Sequence, residues 1–152
     1  MQLRFRTKRC SGQAPATKEN TELVLRLYEK FDKGEVDDFA EAIGSNFIAN
    51  ILGTTTLDWA GFKKFGNAFL SAFPDGRHVF EYVVAEGEHV LTIETYQGIH
   101  KVEMQGISPT NAKLKLPVMH LDRVVNGKIV EHCGLANEVD HMQQLGVVLV
   151  PK

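Results

Sequence analysis

Five side chains that can do chemistry stand at even spacing in the C-terminal part of this sequence: His120 and Asp122, then Glu131, Cys133 and Asn137. Imidazole and carboxylate groups move protons near neutral pH, a thiolate attacks electrophiles, and a carboxamide can hydrogen-bond a carbonyl or enolate. Spacing by two is the period of a β-strand, so each set would project from one face of its strand. Asn126-Gly127 lies between the two sets, and this pair suits a two-residue turn that demands positive φ twice. Such a turn fixes the register, which then sets Val125 opposite Lys128, Val124 opposite Ile129, Asp122 opposite Glu131 and His120 opposite Cys133. Leu116 comes opposite Asn137 provided Pro117 introduces no bulge.

One face of this hairpin therefore carries Leu116, Val118, His120, Asp122 and Val124 against Ile129, Glu131, Cys133, Leu135 and Asn137. A few polar groups among apolar neighbours describe the wall of a small-molecule pocket, and equally a core with a polar rim. In a dry site, Asp122 facing Glu131 would favour one of them keeping its proton; at the wet end of a hairpin they would do nothing. Cys133 opposite His120 could be a nucleophilic pair, or simply a small buried residue filling space. The opposite face carries Lys115, Met119, Leu121 and Arg123 against Val130, His132 and Ala136, an apolar centre suited to a homodimer contact. His100, His120, His132 and His141 are scattered, with no helical i,i+4 pair, so no metal site is expected.

The elements that must position these groups can be read from periodicity. Leu23, Val24, Leu27, Tyr28 and Phe31 recur at helical spacing up to Lys33, with Gly34 as the stop and Glu22–Arg26 and Glu29–Lys33 as outer pairs. A short helix follows over Val36 to Ile43, then a strand over Asn46 to Leu52. Asp58 caps a third helix whose Trp59, Phe62, Phe65, Phe69 and Phe73 form an aromatic stripe ended by Pro74. That stripe packs on a sheet, and Phe65 and Phe69 are candidates to touch a ligand as well. Strands over His78 to Glu86 and His89 to Ile99 meet at Gly87-Glu88, placing Phe80, Tyr82 and Val84 on one face with Leu91, Ile93 and Thr95. Tyr82 and Ile93 are thus further pocket candidates, with His100 beyond them. After the hairpin, Val139 to Leu145 reads as a helical turn. Helices followed by successive antiparallel strands argue an α+β domain.

A chain of 152 residues, 43% hydrophobic and 24% charged, fits a single globular domain over 19–152. A net charge of -2 gives no reason to expect a nucleic-acid partner, and no apolar run reaches membrane-spanning length. Two cysteines, Cys10 and Cys133, make no disulfide framework, which points to a reducing cytoplasm. The first 18 residues hold Arg4, Arg6, Lys8, Arg9 and Lys18 and no acid, and lack the apolar segment of a secretory signal; they read as a basic tail.

The order of short motifs adds to this reading. Ala72-Phe73-Pro74-Asp75, Ala85-Glu86-Gly87-Glu88-His89-Val90, Gly98-Ile99-His100, Gly106-Ile107-Ser108-Pro109-Thr110, the run from Arg123 to His132, and Gln143-Gln144-Leu145-Gly146 follow one another. Together they resemble the SnoaL-like polyketide cyclase (ester cyclase) family of the nuclear transport factor 2-like superfamily, over roughly Asn20 to Val147. The resemblance implies a cone-shaped α+β fold with a deep pocket, a homodimer through the outer sheet face, and intramolecular aldol ring closure of a polyketide ester without metal or organic cofactor. It also implies departures. Cys133 stands where the family has Trp, and Asn137 where it has the Asp that serves as acid/base; Ile99, Val102 and Asn111 replace Thr, Gly and Gly. An amide cannot exchange a proton at neutral pH, so the expected proton carriers are His120, Asp122 or Glu131, with Asn137 orienting the ligand. The resulting expectation is cofactor-independent acid/base chemistry on a small hydrophobic carbonyl compound. The alternative is a non-catalytic binding module on the same fold.

Overall fold

The computed structural model describes residues 15–51, 53 and 55–147, so nearly all of the basic tail lies outside the described residues. The first helix, α1 (Pro15–Lys33), buries Leu23, Val24, Leu27, Tyr28 and Phe31, the stripe that its spacing requires. Gly34 at φ 71° stops it. Lys33 pairs with Glu29 at 2.6 Å, whereas Glu22 pairs with Lys18 and Arg26 lies over the Phe39 ring. A 3-10 helix over Val36–Ala42 buries Val36 and Phe39.

Strand β1 (Ile43–Ile51) starts earlier than its apolar pattern suggests and pairs with a short β2 (Thr55–Leu57) that has no strand signature of its own. Helix α2 (Trp59–Ala72) is capped by Asp58, whose Oδ1 accepts from the Gly61 amide at 2.8 Å. Strands β3 (Arg77–Glu86), β4 (His89–Ile99), β5 (Lys113–Val125) and β6 (Lys128–Ala136) follow, and α3 (Glu138–Gln144) closes the described chain. The six strands form one sheet in the order β2-β1-β6-β5-β4-β3, antiparallel except between β1 and β6. This is an α+β fold of helices packed on a mostly antiparallel sheet.

The Asn126-Gly127 turn forms as expected, both residues at positive φ, and Val124 and Val125 face Ile129 and Lys128. A bulge at the next step then overturns the rest of the expected register. Arg123 faces Glu131, Asp122 faces His132, Leu121 faces Cys133 and His120 faces Gly134. The reason is electrostatic. The unbulged register would set Asp122 against Glu131, two like charges, whereas one extra residue in β6 gives each acid a cationic or imidazole partner. A second bulge, between Phe80 and Tyr82, turns Phe80 to the helix side with Glu94 and leaves Tyr82 opposite Ile93 on the far side. The expectation that Phe80 shares a face with Tyr82 and Val84 therefore fails.

The sheet's inner face therefore sets several polar groups among the apolar core side chains of β4, β5 and β6. Thr92, Glu94, Asp122 and His132 are all buried there beneath the helices. The outer face is open and carries an apolar patch of exposed Val79, Tyr82, Val84, Met119, Leu121 and Leu135 beside the Arg123–Glu131 ion pair.

Candidate functional site

A cavity of about 110 Å³ lies between α1, α2 and the inner sheet face. Phe62, Phe65 and Phe69 of α2 roof it, Leu116 and Val118 of β5 form part of its floor, and Tyr28, Asp32, His78, Tyr96, His120 and His132 supply its polar wall. Gly66 has no room for a side chain, because a Cβ would lie 2.3 Å from the Phe31 ring, so α2 rides close on α1 and the aromatic roof is held low.

Around this hollow stand three imidazoles, each against a carboxylate. His132 Nδ1 lies 2.9 Å from Asp122 Oδ1, and the other oxygen of Asp122 accepts from the Tyr28 hydroxyl at 2.5 Å. His120 Nδ1 lies 2.6 Å from Glu94 Oε1, a charge contact too far off line to be a hydrogen bond, and neither Glu94 oxygen has another partner among the described residues. His78 Nδ1 lies 2.6 Å from Asp32 Oδ1, while the His78 backbone N–H donates to Asp32 Oδ2 at 2.9 Å. A carboxylate hydrogen-bonded to Nδ1, as at His132 and His78, fixes the ring and leaves Nε2 as the nitrogen that can meet a ligand.

The rings are close neighbours. His120 and His132 are 4.8 Å apart between centroids, His120 and His78 6.1 Å, and the Tyr28 ring stacks on His120 at 4.9 Å and 6°. Gly134 shows where the first two point. A Cβ there would sit 3.1 Å from His132 Nε2 and 3.5 Å from His120 Nε2, so both nitrogens lie beside one position kept free by the missing side chain. Burial, then the charges of Asp122 and Glu94, hold the Tyr28 phenol well above its usual range. Burial, then Asp32 and Asp75, raise Tyr96 as well. Both phenols thus remain hydrogen-bond donors at neutral pH.

Of the residues expected from the sequence, Phe65, Phe69, Leu116, Val118 and His120 border the cavity, and Asp122 stands buried behind His132. Leu135 touches only the rim and is half exposed. Glu131 is on the outer face, bound to Arg123 at 2.8 Å, and that guanidinium holds its carboxyl below the usual range rather than letting it keep a proton. Cys133 sits opposite Leu121 on the same outer face, so there is no Cys133–His120 nucleophilic pair. Tyr82 and Ile93 are outside too. Asn137 is exposed and caps α3, its Oδ1 accepting from the Asp140 amide at 3.1 Å, so it orients nothing in the cavity. His100 is buried away from it, against Phe73 and Thr110.

Sequence reasoning missed Tyr28, Asp32, His78, Glu94 and His132. Tyr28 was legible as a core residue and His132 as an outer one. Both assignments rest on spacing within one element, which carries no sign of the cross-sheet partner. A Glu at position 94 of an alternating strand could have served as the signal, since Thr92, Glu94 and Tyr96 share a period with Val90. Among the described residues no group of three or more His, Cys, Asp and Glu is arranged to hold a metal ion.

No protein with a curated description matches the chain. Solved structures do. AclR, a candidate hydroxylase from Streptomyces galilaeus, aligns with a TM-score of 0.77 at 22% identity over 86% of this chain and 97% of its own. A candidate SnoaL-like polyketide cyclase from Jannaschia sp. CCS1 aligns with a TM-score of 0.83 at 19% identity over 91% and 99%. IdmH, a candidate polyketide cyclase from Streptomyces antibioticus, aligns with a TM-score of 0.75 at 27% identity over 84% and 99%. The first two likenesses speak to the fold alone. The family profile matches residues 22–145, spanning α1 to α3 and so every wall of the cavity. With most of its length covered by that match, the chain belongs to the SnoaL-like polyketide cyclase family.

Proposed function

We propose that the cavity carries out cofactor-independent proton transfer on a small hydrophobic carbonyl compound, of the enolising kind that precedes ring closure or isomerisation. His132 Nε2 takes the proton from the carbon next to the carbonyl. Asp122, steadied by Tyr28, stabilises the imidazolium that forms. His120 Nε2–H donates to the carbonyl oxygen as it becomes an enolate, with Glu94 as the counter-charge behind it. The apolar roof excludes water, which strengthens these interactions. The observation that carries this reading is that two carboxylate-backed imidazoles bring their Nε2 atoms close together beside Gly134 in the cavity wall.

The test is deuterium incorporation from solvent into small β-keto esters, followed by NMR. Wild type should exchange the acidic C–H faster than buffer, and His132→Gln should lose about 10²- to 10⁴-fold, the usual contribution of a general base. If wild type is no faster than buffer yet retains an apolar carbonyl compound, the binding-module reading replaces this one.

The open apolar outer face supports a second proposal, that a second copy of the chain covers it. Met119 and Leu121 sit at its centre, 44% and 42% exposed.

A further inference from the structure

The proposed enolisation uses two of the imidazoles and leaves Asp32–His78 without a role. That pair is nevertheless built like the others. Asp32 receives both the ring and the backbone N–H of His78, so its carboxylate is held in place against the ring nitrogen. His78 packs against Tyr28 and Tyr96 at 5.1 Å each, which fixes its plane at the cavity wall. Its Nε2 makes no hydrogen bond among the described residues and is not sealed in protein. Unlike buried Asp122 and Glu94, this pair keeps some contact with solvent, with side chains 13% and 21% exposed, so it can trade protons with water.

We propose that Asp32–His78 is a second proton-transfer pair that gives the site a dehydrating activity, the loss of water from a β-hydroxy carbonyl compound. The inference rests on the enolisation reading, because the first step is shared. His132 Nε2 takes the proton from the carbon next to the carbonyl, leaving an enolate. The enolate electron pair returns to form the carbon–carbon double bond as the β-carbon–oxygen bond breaks. The hydroxyl leaves with a proton from His78 Nε2–H, as water. The product is an enone, and solvent removes the proton from His132 and restores the one on His78. The spacing suits this division of labour. The hydrogen lost and the hydroxyl lost sit on adjacent carbons, and each must lie about 3–3.5 Å from its nitrogen. Two imidazoles on one cavity wall can serve the two positions separately, His132 the hydrogen and His78 the hydroxyl. His78 lies 6.1 Å from His120, which holds the carbonyl end and itself stands 4.8 Å from His132. Asp32 touches no reacting atom in this scheme; it is a positioning residue that also supplies the counter-charge to the His78 cation.

The experiment uses a small β-hydroxy ketone in deuterated buffer with the full-length protein. Carbon-bound deuterium is read by NMR and enone formation by ultraviolet absorbance. Wild type should show both. His78→Gln should lose about 10²-fold or more in enone formation while exchange falls less than about tenfold. Asp32→Asn should lower kcat for the enone with little change in KM. It should also move the alkaline fall-off of elimination to lower pH, because the cation has lost its counter-charge; a purely structural Asp32 would not shift that limb. Exchange without enone in wild type overturns this inference and leaves the enolisation reading standing. Equal rates of elimination in His78→Gln and wild type overturn it too, as does an equal loss of exchange and elimination. Neither signal in wild type brings down the enolisation reading and this inference with it.

Discussion

At the scale of single residues, the site depends on small, specific absences and anchors. Gly134→Ala adds a methyl 3.1 Å from His132 Nε2 and 3.2 Å from His120 Cδ2. Gly134 is not at positive φ, so the backbone tolerates alanine. The expected outcome is a folded protein whose exchange activity falls about tenfold or more, since about an ångström of misplacement can cost that much. Exchange at the wild-type rate would show that the two nitrogens do not share a target. Tyr28→Phe removes the partner of Asp122 Oδ2 in a fully buried setting. An unsatisfied buried acceptor costs about 1–3 kcal/mol, more when charged, and urea unfolding should show a loss of that order.

At the scale of elements, the chemistry of α3 separates from that of the cavity. Asn137 is a helix cap, and aspartate caps a helix as well as asparagine does. Asn137→Asp is therefore expected to leave both melting temperature and exchange rate near wild type. A gain in exchange would restore the catalytic role that family likeness suggests for position 137. Asn137→Ala should cost about 1 kcal/mol of stability by chemical denaturation. The same helix carries a pH dependence. Burial, then the neighbouring His100, hold the His141 imidazole below its usual range, only partly offset by Glu138 and Asp140. Below about pH 6.5 the unfolded chain takes up a proton that the folded chain refuses. His141 thus contributes stability above that pH, and the contribution is lost as pH falls through the depressed folded value. Melting temperature should drop on acidification through this window, and His141→Gln should flatten that part of the curve.

At the scale of the molecule, one sheet serves two surfaces, each of which departs from a plain apolar-in, polar-out pattern. The inner face holds Glu94, Asp122 and His132 at 2% exposure or less, and the outer face shows Tyr82, Val84 and Leu135 at over half. The buried carboxylates are the ones the proposed reaction site uses, and the exposed apolar patch is the one the proposed second copy would cover. Leu121→Lys together with Met119→Lys should halve the mass seen by analytical ultracentrifugation, with exchange retained if each subunit holds its own site. A wild-type monomer at tens of micromolar would end the dimer proposal. No helix among the described residues is long and apolar enough to cross a membrane.

Local rules determined much of this protein. Helical spacing in α1 and α2, the Asp58 cap, the Gly34 stop and the Asn126-Gly127 turn all act within a few residues, so the sequence alone specifies them. The family motifs likewise announce the fold. What only tertiary structure decided is which way the strands face. A single extra residue in β6 reverses every later side chain, taking Glu131 and Cys133 out and bringing His132 in. That residue is accommodated because Asp122 gains an imidazole and Tyr28, and Arg123 gains Glu131. Tyr28 and Asp122 are 94 positions apart, and Asp32 and His78 are 46 apart. A strand's periodicity contains no information about partners so distant, and it is those partners that fix the site.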